Sequence, residues 1–221
     1  MPVYRKHRLI HIHIPRTVGT AIEELFHGIG DMIWGLESWA GQERRDGRWY
    51  EYQHLSLSEL LVLTNSAFEN YFSFAVERNP YARLVSDFRW RQATSQAYPG
   101  ASIQSFQSFE NFLQSIPRDI NLHWSQLIQG ADQSWANFLI HVRPQHHYVE
   151  TNTHPVGVDQ VIRFESIDTE MTEFLKRYGI KNTKIIKPRS PYFGEFYTRE
   201  MMDIANEIYR RDFEVFSYEM I

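Results

Sequence analysis

The sequence contains no cysteine, and this absence excludes three kinds of chemistry at once. Disulfide bonds, thiolate zinc sites and cysteine nucleophiles all need the sulfur of cysteine. A secreted scaffold held together by disulfides is therefore ruled out. Long apolar runs are missing as well, since no window approaches the roughly 20 apolar residues that a membrane-spanning helix needs. The short apolar stretch at residues 9–14 is interrupted by two histidines and precedes no small-residue cleavage site, unlike a signal peptide.

Positive charge is not in excess. Lys and Arg number 23 against 27 Asp and Glu, which gives a formal net charge of −4. We therefore expect no nucleic-acid partner, and any anion site must concentrate positive charge locally. Asn-x-Ser/Thr sequons are also absent. Together these features predict a soluble, cytoplasmic protein with no membrane partner, while no pattern predicts an oligomeric state.

The apolar residues, 43% of the chain, and the aromatic residues, 15%, are enough for a well-packed core. Their spacing predicts strands at residues 9–14, 71–76, 158–164 and 180–186. Helices are predicted at residues 20–27, 57–63 after a Ser56–Glu59 capping box, from Pro80 onward, over most of 109–140, at 167–178 and from the N-cap Thr198 to near Phe213. Strands that alternate with helices are typical of an α/β fold with a parallel sheet covered on both faces. No repeat or linker divides the chain, so we predict one domain, residues 1–221.

Two segments, residues 30–53 and 93–105, follow no regular period, and we expect loops there. Long loops in α/β proteins are a common location for substrate contacts. Trp34, Trp39, Trp49 and Tyr50 lie in the first of them and can either stack on sugar rings or cap the core.

The connection between the first strand and the first helix has the composition of an anion-binding loop. It contains Arg16, Thr17, Gly19 and Thr20 and opens directly into a helix. Amides at a helix N-terminus lack intrahelical partners, the helix dipole adds positive charge, and an arginine supplies a forked set of donors. The Gly-Lys-Ser/Thr ending of a Walker A loop is absent, which disfavours an ordinary ATPase. The alternative interpretation is a plain strand-to-helix turn with an exposed arginine.

A second strand-to-helix segment carries more positive charge. Arg78 follows the strand at residues 71–76, and Arg83 and Ser86 lie on the helix that begins at Pro80. Ligands of open α/β sheets bind at the carboxyl ends of strands, so Arg78 and Ser86 suit a phosphate monoester. Alternatively, the arginines only form ion pairs with neighbouring acidic residues.

Together these segments resemble the sulfotransferase family. Residues 15–20 (Pro-Arg-Thr-Val-Gly-Thr) resemble its 5′-phosphosulfate loop, commonly Pro-Lys-Thr-Gly-Gly-Thr in the carbohydrate-type (Golgi-type) branch, and residues 78–86 resemble its 3′-phosphate motif, Arg-x-Pro-x-x-Arg-x-x-Ser. Residues 141–145 are similar to its His-x-x-Pro-Gln segment, residues 162–167 to its Arg-Phe-Glu-x-Leu strand end, and residues 208–218 to its C-terminal helix. The resemblance implies a P-loop-like, three-layer α/β/α fold with a mainly parallel central sheet.

The loop departs from the family pattern at three positions. Arg16 replaces the usual lysine, Val18 replaces the first glycine, and Ala21 replaces a serine, which removes one hydroxyl donor. Because a β-branched residue avoids positive φ, we expect the loop to follow a backbone path that valine can adopt.

The resemblance also implies a reaction. Members of the family move a sulfuryl group from 3′-phosphoadenosine 5′-phosphosulfate (PAPS) to a hydroxyl or amine of a carbohydrate or other small molecule, with no metal. Arg16 would place its positive charge on the oxygen that bridges sulfur and the 5′-phosphate, and His54 would be the general base. The remaining cofactor-binding residues that the resemblance implies are Thr17, Val18, Gly19, Thr20, Ala21, Arg78, Ser86 and Arg189.

Other histidines have less specific patterns. His11 and His13 alternate along a strand, where hydrogen-bonded rings on a covered face are the simpler interpretation than a metal site. His146 and His147 lie in a predicted loop after Pro144. Together with His154 they offer a metal set, but no carboxylate at suitable spacing supports it.

Two further functions stay open on the sequence. A nucleotide kinase would require magnesium-dependent ATP binding. A non-catalytic member of the family would bind the nucleotide without transferring a sulfuryl group. The three departures of the loop from the family pattern are compatible with this function.

Overall fold

The computed structural model describes residues 2–28, 42–99, 101–151, 154, 156–180 and 192–221. Its strands and helices, in chain order, are β1 (Val3–Tyr4), β2 (Leu9–Ile12), α1 (Gly19–Gly28), β3 (Gln42–Arg45), β4 (Arg48–Glu51), α2 (Leu57–Leu63), β5 (Phe72–Glu77), α3 (Pro80–Ala97), α4 (Phe109–Gln114), α5 (Ile120–Ile128), α6 (Gln133–Val142), α7 (His146–Val149), β6 (Gln160–Arg163), α8 (Ile167–Arg177) and α9 (Arg199–Val215).

The chain divides into two compact units. The first unit comprises Met1–Gln42, Tyr52–Arg78 and Gln145–Arg189, and the second comprises Glu43–Glu51, Asn79–Pro144 and Ser190–Ile221.

The first unit is built on a four-stranded sheet in the order β1-β2-β5-β6. β1 is antiparallel to β2, whereas β2, β5 and β6 are parallel, with Ile12 opposite Ala75 and Glu77 opposite Arg163. The carboxyl ends of these three strands therefore meet at one edge of the sheet. Apolar side chains of the strands, α1 and α8 form one core; its largest buried members are Tyr4, Phe26, Phe74 and Phe174.

The second unit is mainly helical, and its core is rich in aromatic rings. α3, α4, α6 and α9 contribute most of the buried residues, among them Tyr81, Phe112, Phe138, Tyr209 and Phe213. Residues 109–140 are mainly helical, as predicted, and their apolar residues Phe109, Phe112, Leu113, Ile116, Phe138 and Leu139 are buried, whereas Trp135 is only partly buried.

Local signals in the sequence account for several helix boundaries. Ser56 and Glu59 form the predicted capping box at α2, with the Ser56 amide 2.8 Å from Glu59 Oε2. Pro80 occupies the first turn of α3, Thr198 caps α9, and Gly179 follows α8 with φ of +68°.

Three sequence-based expectations need correction. The segment expected to be a loop at 30–53 contains the hairpin of β3 and β4, and α3 continues to Ala97 within the other expected loop. The hairpin turn consists of Asp46 and Gly47, both with positive φ, which is the type I′ arrangement that Asp-Gly favours. His146 and His147 form the short helix α7 rather than a loop.

Other expectations fall outside the described residues. These are Trp34, Trp39, Arg189 and the predicted strand at 180–186 beyond Ile180. Within the described ranges, no helix combines the length and apolar character that crossing a bilayer needs.

Candidate functional site

Within the first unit, Arg16 of the predicted anion loop after β2 and Arg78, which follows β5, lie together at the carboxyl ends of these two strands. Arg78 Nη1 donates a hydrogen bond to the carbonyl oxygen of Arg16 at 3.0 Å. The Arg78 guanidinium also lies over the Phe164 ring, 4.2 Å from its centroid. Arg78 is buried and Arg16 is partly exposed, so the two cations are held at one edge of the sheet at different depths.

Gln145 fixes the backbone of Arg78. Its side-chain oxygen accepts from the Arg78 amide at 3.0 Å, and its side-chain nitrogen donates to the Arg78 carbonyl at 2.7 Å. A fully buried primary amide needs partners for its oxygen and its nitrogen, and the backbone N–H and carbonyl of Arg78 supply one partner for each. The segment at residues 141–145 was recognisable in the sequence, but no sequence pattern predicted this role for Gln145.

The loop backbone overturns the expectation for Val18. Both Arg16 and Val18 have positive φ, +69° and +72°. A β-branched residue in this region is strained, at a cost of about 1–3 kcal/mol. The Val18 side chain is buried in the core of the first unit beside Ile22 and Phe26, and burying a valine stabilises by about 1.5–3 kcal/mol. Core packing therefore offsets the strain, and the loop keeps a conformation that glycine would adopt more easily.

Thr17 and Thr20 have different surroundings. Thr17 is buried and its hydroxyl donates to the Ile14 carbonyl at 2.8 Å, which closes the turn after β2. Thr20 is exposed in the first turn of α1, and Ala21 beside it is partly exposed. The amides of Ala21 and Ile22 bond to the Val18 carbonyl, so the loop passes directly into the helix.

Gly19 is required by a close approach rather than by its backbone angles. A Cβ at this position would lie 2.0 Å from Cδ2 and Nε2 of His13. No side chain fits there unless the imidazole moves. The His13 ring therefore lies directly against the start of α1.

A buried hydrogen-bond network surrounds that ring. His13 Nδ1 lies 2.6 Å from Glu23 Oε1, and both side chains are buried. Gln53 Nε2 donates to both oxygens of Glu23, at 3.3 and 3.1 Å. His54 Nδ1 lies 2.9 Å from the His13 carbonyl oxygen, and the His13 and His54 rings meet edge to face with centroids 4.6 Å apart.

His11 departs from the expected pattern of hydrogen-bonded rings. Its ring is fully buried and stacks on those of His13 and Phe74. Within the described part of the chain, neither of its ring nitrogens has a hydrogen-bond partner. Burial, and secondarily the neighbouring His13, hold the pKa of the His11 imidazole well below its usual range.

The alternative interpretation was that Arg78 and Arg83 only form ion pairs with neighbouring acidic residues. In the first unit, Glu77 Oε1 accepts from Arg163 Nε at 3.3 Å. In the second unit, the buried Arg83 donates to the carbonyls of His141 and Arg143 at 2.9 and 2.8 Å. Arg83 therefore connects α3 to the end of α6 and has a structural role. Ser86, also on α3, is partly exposed.

The histidines of α7 have a carboxylate neighbour, Glu150, that was not predicted from the sequence. One ligand atom each of His146, His147 and Glu150 lies within 4.8 Å of the others, an arrangement that a cation can occupy. His147 Nε2 and Glu150 Oε1 are 4.0 Å apart, so an ion pair with a protonated His147 also explains the grouping. His154 is exposed on the following turn.

Comparison with known proteins identifies the family. No curated protein and no solved structure matches the chain. A model described as the Sulfotransferase family matches residues 2–219, nearly the whole sequence. The mainly parallel sheet flanked by helices is the three-layer α/β/α architecture of that family. With one family model covering almost every residue from the N-terminal strands to α9, the chain belongs to the sulfotransferase family.

Proposed function

We propose that the protein transfers a sulfuryl group from PAPS to a hydroxyl group of a carbohydrate or another small molecule. One observation carries the proposal: Arg16, on the loop before α1, and Arg78, at the end of β5, are joined by a 3.0 Å hydrogen bond. Sulfuryl transfer itself is the general activity of the family to which the chain belongs. The donor, the acceptor class and the roles below are the proposed part.

The loop before α1 supplies the donors proposed for the 5′ end of PAPS. α1 is 10 residues long, and its first amides follow the Arg16 turn. Arg16, the exposed Thr20 and the amides of Val18, Gly19 and Thr20 would bind the 5′ end of the donor. Thr17 would support the loop through the bond from its hydroxyl to Ile14. Bound there, the donor would supply the sulfuryl group for in-line displacement.

Arg78 is proposed for the 3′-phosphate, together with Ser86 and Arg189. Its backbone is fixed by Gln145 and its guanidinium by Phe164 and the Arg16 carbonyl. A side chain held in this way loses little conformational entropy when it binds a phosphate. These contacts preorganise the cation.

His54 is proposed as the general base, and its contacts define which nitrogen is basic. A carbonyl oxygen can only accept, so His54 Nδ1, 2.9 Å from the His13 carbonyl, carries the hydrogen. In the neutral ring the lone pair is then on Nε2. During transfer the acceptor oxygen forms its bond to sulfur, the bond from sulfur to the 5′-phosphate oxygen breaks, and the acceptor proton passes to His54 Nε2. Arg16 would stabilise the charge on the leaving oxygen.

The acceptor class follows from the resemblance to the carbohydrate-type branch. Of the aromatics considered for sugar stacking, Trp49 packs partly against the core of the second unit, and Tyr50 lies beneath the Arg48 guanidinium, 4.5 Å from the ring centroid. Tyr50 is partly exposed and is the better candidate for a sugar contact. The cytoplasmic location stays a prediction from the sequence.

Calorimetry with adenosine 3′,5′-bisphosphate in the absence of magnesium tests the proposal. We expect binding by the wild-type protein, weakened about 10- to 100-fold by Arg78→Ala because a charged hydrogen-bond donor is lost. Arg177→Ala is the matched control, since Arg177 is exposed and bonds to Gln160 at the start of β6. Binding of magnesium-ATP with no binding of the bisphosphate would identify a kinase instead. Nucleotide binding without transfer to any hydroxyl compound would indicate a non-catalytic member.

A further inference from the structure

Glu23 is a buried acidic residue to which the reaction proposed above assigns no role. It lies on α1, one turn after the anion loop, and its side chain is fully buried. A buried carboxylate is costly unless hydrogen bonds satisfy its oxygens. Glu23 meets this condition with His13 Nδ1 at 2.6 Å and with Gln53 Nε2 at 3.3 and 3.1 Å.

Both partners of Glu23 are directly connected to His54. Gln53 precedes His54 in the same 3₁₀ turn, Tyr52–His54. His13 receives the His54 Nδ1 hydrogen bond on its carbonyl oxygen, and its ring contacts the His54 ring edge to face. One carboxylate thus holds the residue before His54 and the residue whose carbonyl determines the His54 tautomer.

Glu23 is also fixed to the anion loop. The Glu23 carboxylate can only accept, so His13 Nδ1 donates and the opposite edge of the ring faces Gly19. A Cβ at residue 19 would lie only 2.0 Å from Cδ2 and Nε2 on this edge of the ring. The ring therefore occupies the space between the Glu23 carboxylate and the first residue of α1.

We propose that Glu23 is a positioning residue that fixes His54 relative to the anion loop. This inference rests on the proposed function, because it gives His54 the role of the base. It adds a requirement that the family resemblance did not contain: the base is oriented through a carboxylate on the same helix that binds the anion. Removing the carboxylate frees Gln53 and His13, and His54 then loses its fixed orientation and its single tautomer while the loop amides stay in place.

The kinetic test compares Glu23→Gln with Glu24→Gln. Glu24 is the next residue of α1 and is exposed, so its variant carries the same change of charge without touching the network. We expect Glu23→Gln to lower kcat about 10- to 100-fold, as misplacement of a reacting group commonly does, with the affinity for adenosine 3′,5′-bisphosphate changed less than about threefold. Glu24→Gln should match the wild type. Parallel losses of kcat and nucleotide affinity in Glu23→Gln would overturn the proposal, because a general loss of structure would explain both.

A second measurement does not depend on activity. Nitrogen-15 NMR of the imidazoles, with His54 assigned from the spectrum of His54→Gln, reports the tautomer of the neutral ring. We expect a single tautomer with hydrogen on Nδ1 in the wild type and a mixture of the two tautomers in Glu23→Gln. Gln53→Ala removes the connection through Gln53 and keeps the His13–Glu23 pair, so it tests the Gln53 connection by itself and also serves should Glu23→Gln fail to fold. An unchanged His54 tautomer in these variants would overturn the positioning role, whereas failure of the wild type to transfer sulfuryl groups would overturn only the proposed function.

Discussion

In each unit, the described residues include an imidazole held by a buried carboxylate at the same distance. In the first unit His13 Nδ1 lies 2.6 Å from Glu23, and in the second unit His141 Nδ1 lies 2.6 Å from Asp87. All four side chains are almost fully removed from solvent. The local geometry of the two pairs is therefore the same, and any difference in role must come from their neighbours.

The pair in the second unit continues into a cationic network. Asp87 Oδ2 accepts from Arg91 Nε at 2.7 Å, and Arg91 donates to the side chain and carbonyl of Asn137 at 3.1 and 3.3 Å. Asn137 in turn donates to Glu51 at 2.8 Å. These bonds connect α3, α6 and β4, so the network joins the elements of its unit.

The His13–Glu23 pair of the first unit has different neighbours. Its carboxylate is shared with the amide of Gln53, and its imidazole lies against Gly19 of the anion loop. A buried carboxylate–imidazole pair is therefore not by itself a sign of catalysis. The two pairs differ in the partner of the carboxylate: Asp87 accepts from the fully buried Arg91, whereas Glu23 accepts from Gln53, the residue before His54.

The strongest test of this contrast is Asp87→Ala. Removing Asp87 leaves the Arg91 guanidinium buried without its carboxylate, so we expect the free energy of unfolding to fall by about 3–5 kcal/mol in urea denaturation. Asp203→Ala is the control, since the Asp203–Arg199 pair on α9 is exposed and should contribute little. A loss below about 1 kcal/mol for Asp87→Ala would contradict the structural role assigned to this network.

Val18 provides a test within the anion loop. Val18→Ala removes buried methyl groups but keeps positive φ, and we expect a loss of about 2 kcal/mol. Val18→Gly removes the same groups and also relieves the backbone, so it should be more stable than Val18→Ala by about 1 kcal/mol. This order reverses the usual one, in which glycine is the worse replacement. Urea denaturation of both variants measures it, and the usual order would show that the loop is not strained in solution.

The sequence was sufficient to predict the elements that local patterns control. Strict alternation in residues 9–14 predicted β2, Ser56 with Glu59 predicted the capping box of α2, and Pro80 predicted the start of α3. The two arginine segments also led to the family, which the comparison confirms. These features depend on neighbours in the sequence, which is why one sequence is enough.

The missed features depend on contacts between distant residues, with one exception. Glu23 and Glu24 are adjacent and chemically identical in the sequence, and only the tertiary structure shows that Glu23 is buried. Val18 adopts positive φ because the core of the first unit holds its side chain, which backbone preference cannot reveal. The exception is the β3–β4 hairpin: Asp46-Gly47 between two short strands is a recognisable turn signal that the analysis overlooked.

Each unit contains a buried histidine whose pKa bears on the dependence of stability on pH. Burial lowers the pKa of His141 although the Asp87 carboxylate beside it favours protonation, whereas burial and the neighbouring His13 lower the pKa of His11 further. An unfolded histidine binds a proton below about pH 6.5, but folded His11 does not. The free energy of unfolding therefore falls as the pH decreases below that value, by at most about 1.4 kcal/mol per pH unit for one proton.

His11→Phe should flatten this dependence, because phenylalanine can stack on Phe74 as the imidazole does and binds no proton. Urea denaturation at a series of pH values from about 7 to about 5.5 gives the slope for the wild type and the variant. His27→Asn at the exposed end of α1 should retain the wild-type slope. If His11→Phe also retains it, His11 becomes protonated in the folded protein. The buried state of the His11 ring, without hydrogen-bond partners among the described residues, would then not persist in solution. The acid sensitivity would arise from other histidines, and the buried His141 of the second unit is the first to test.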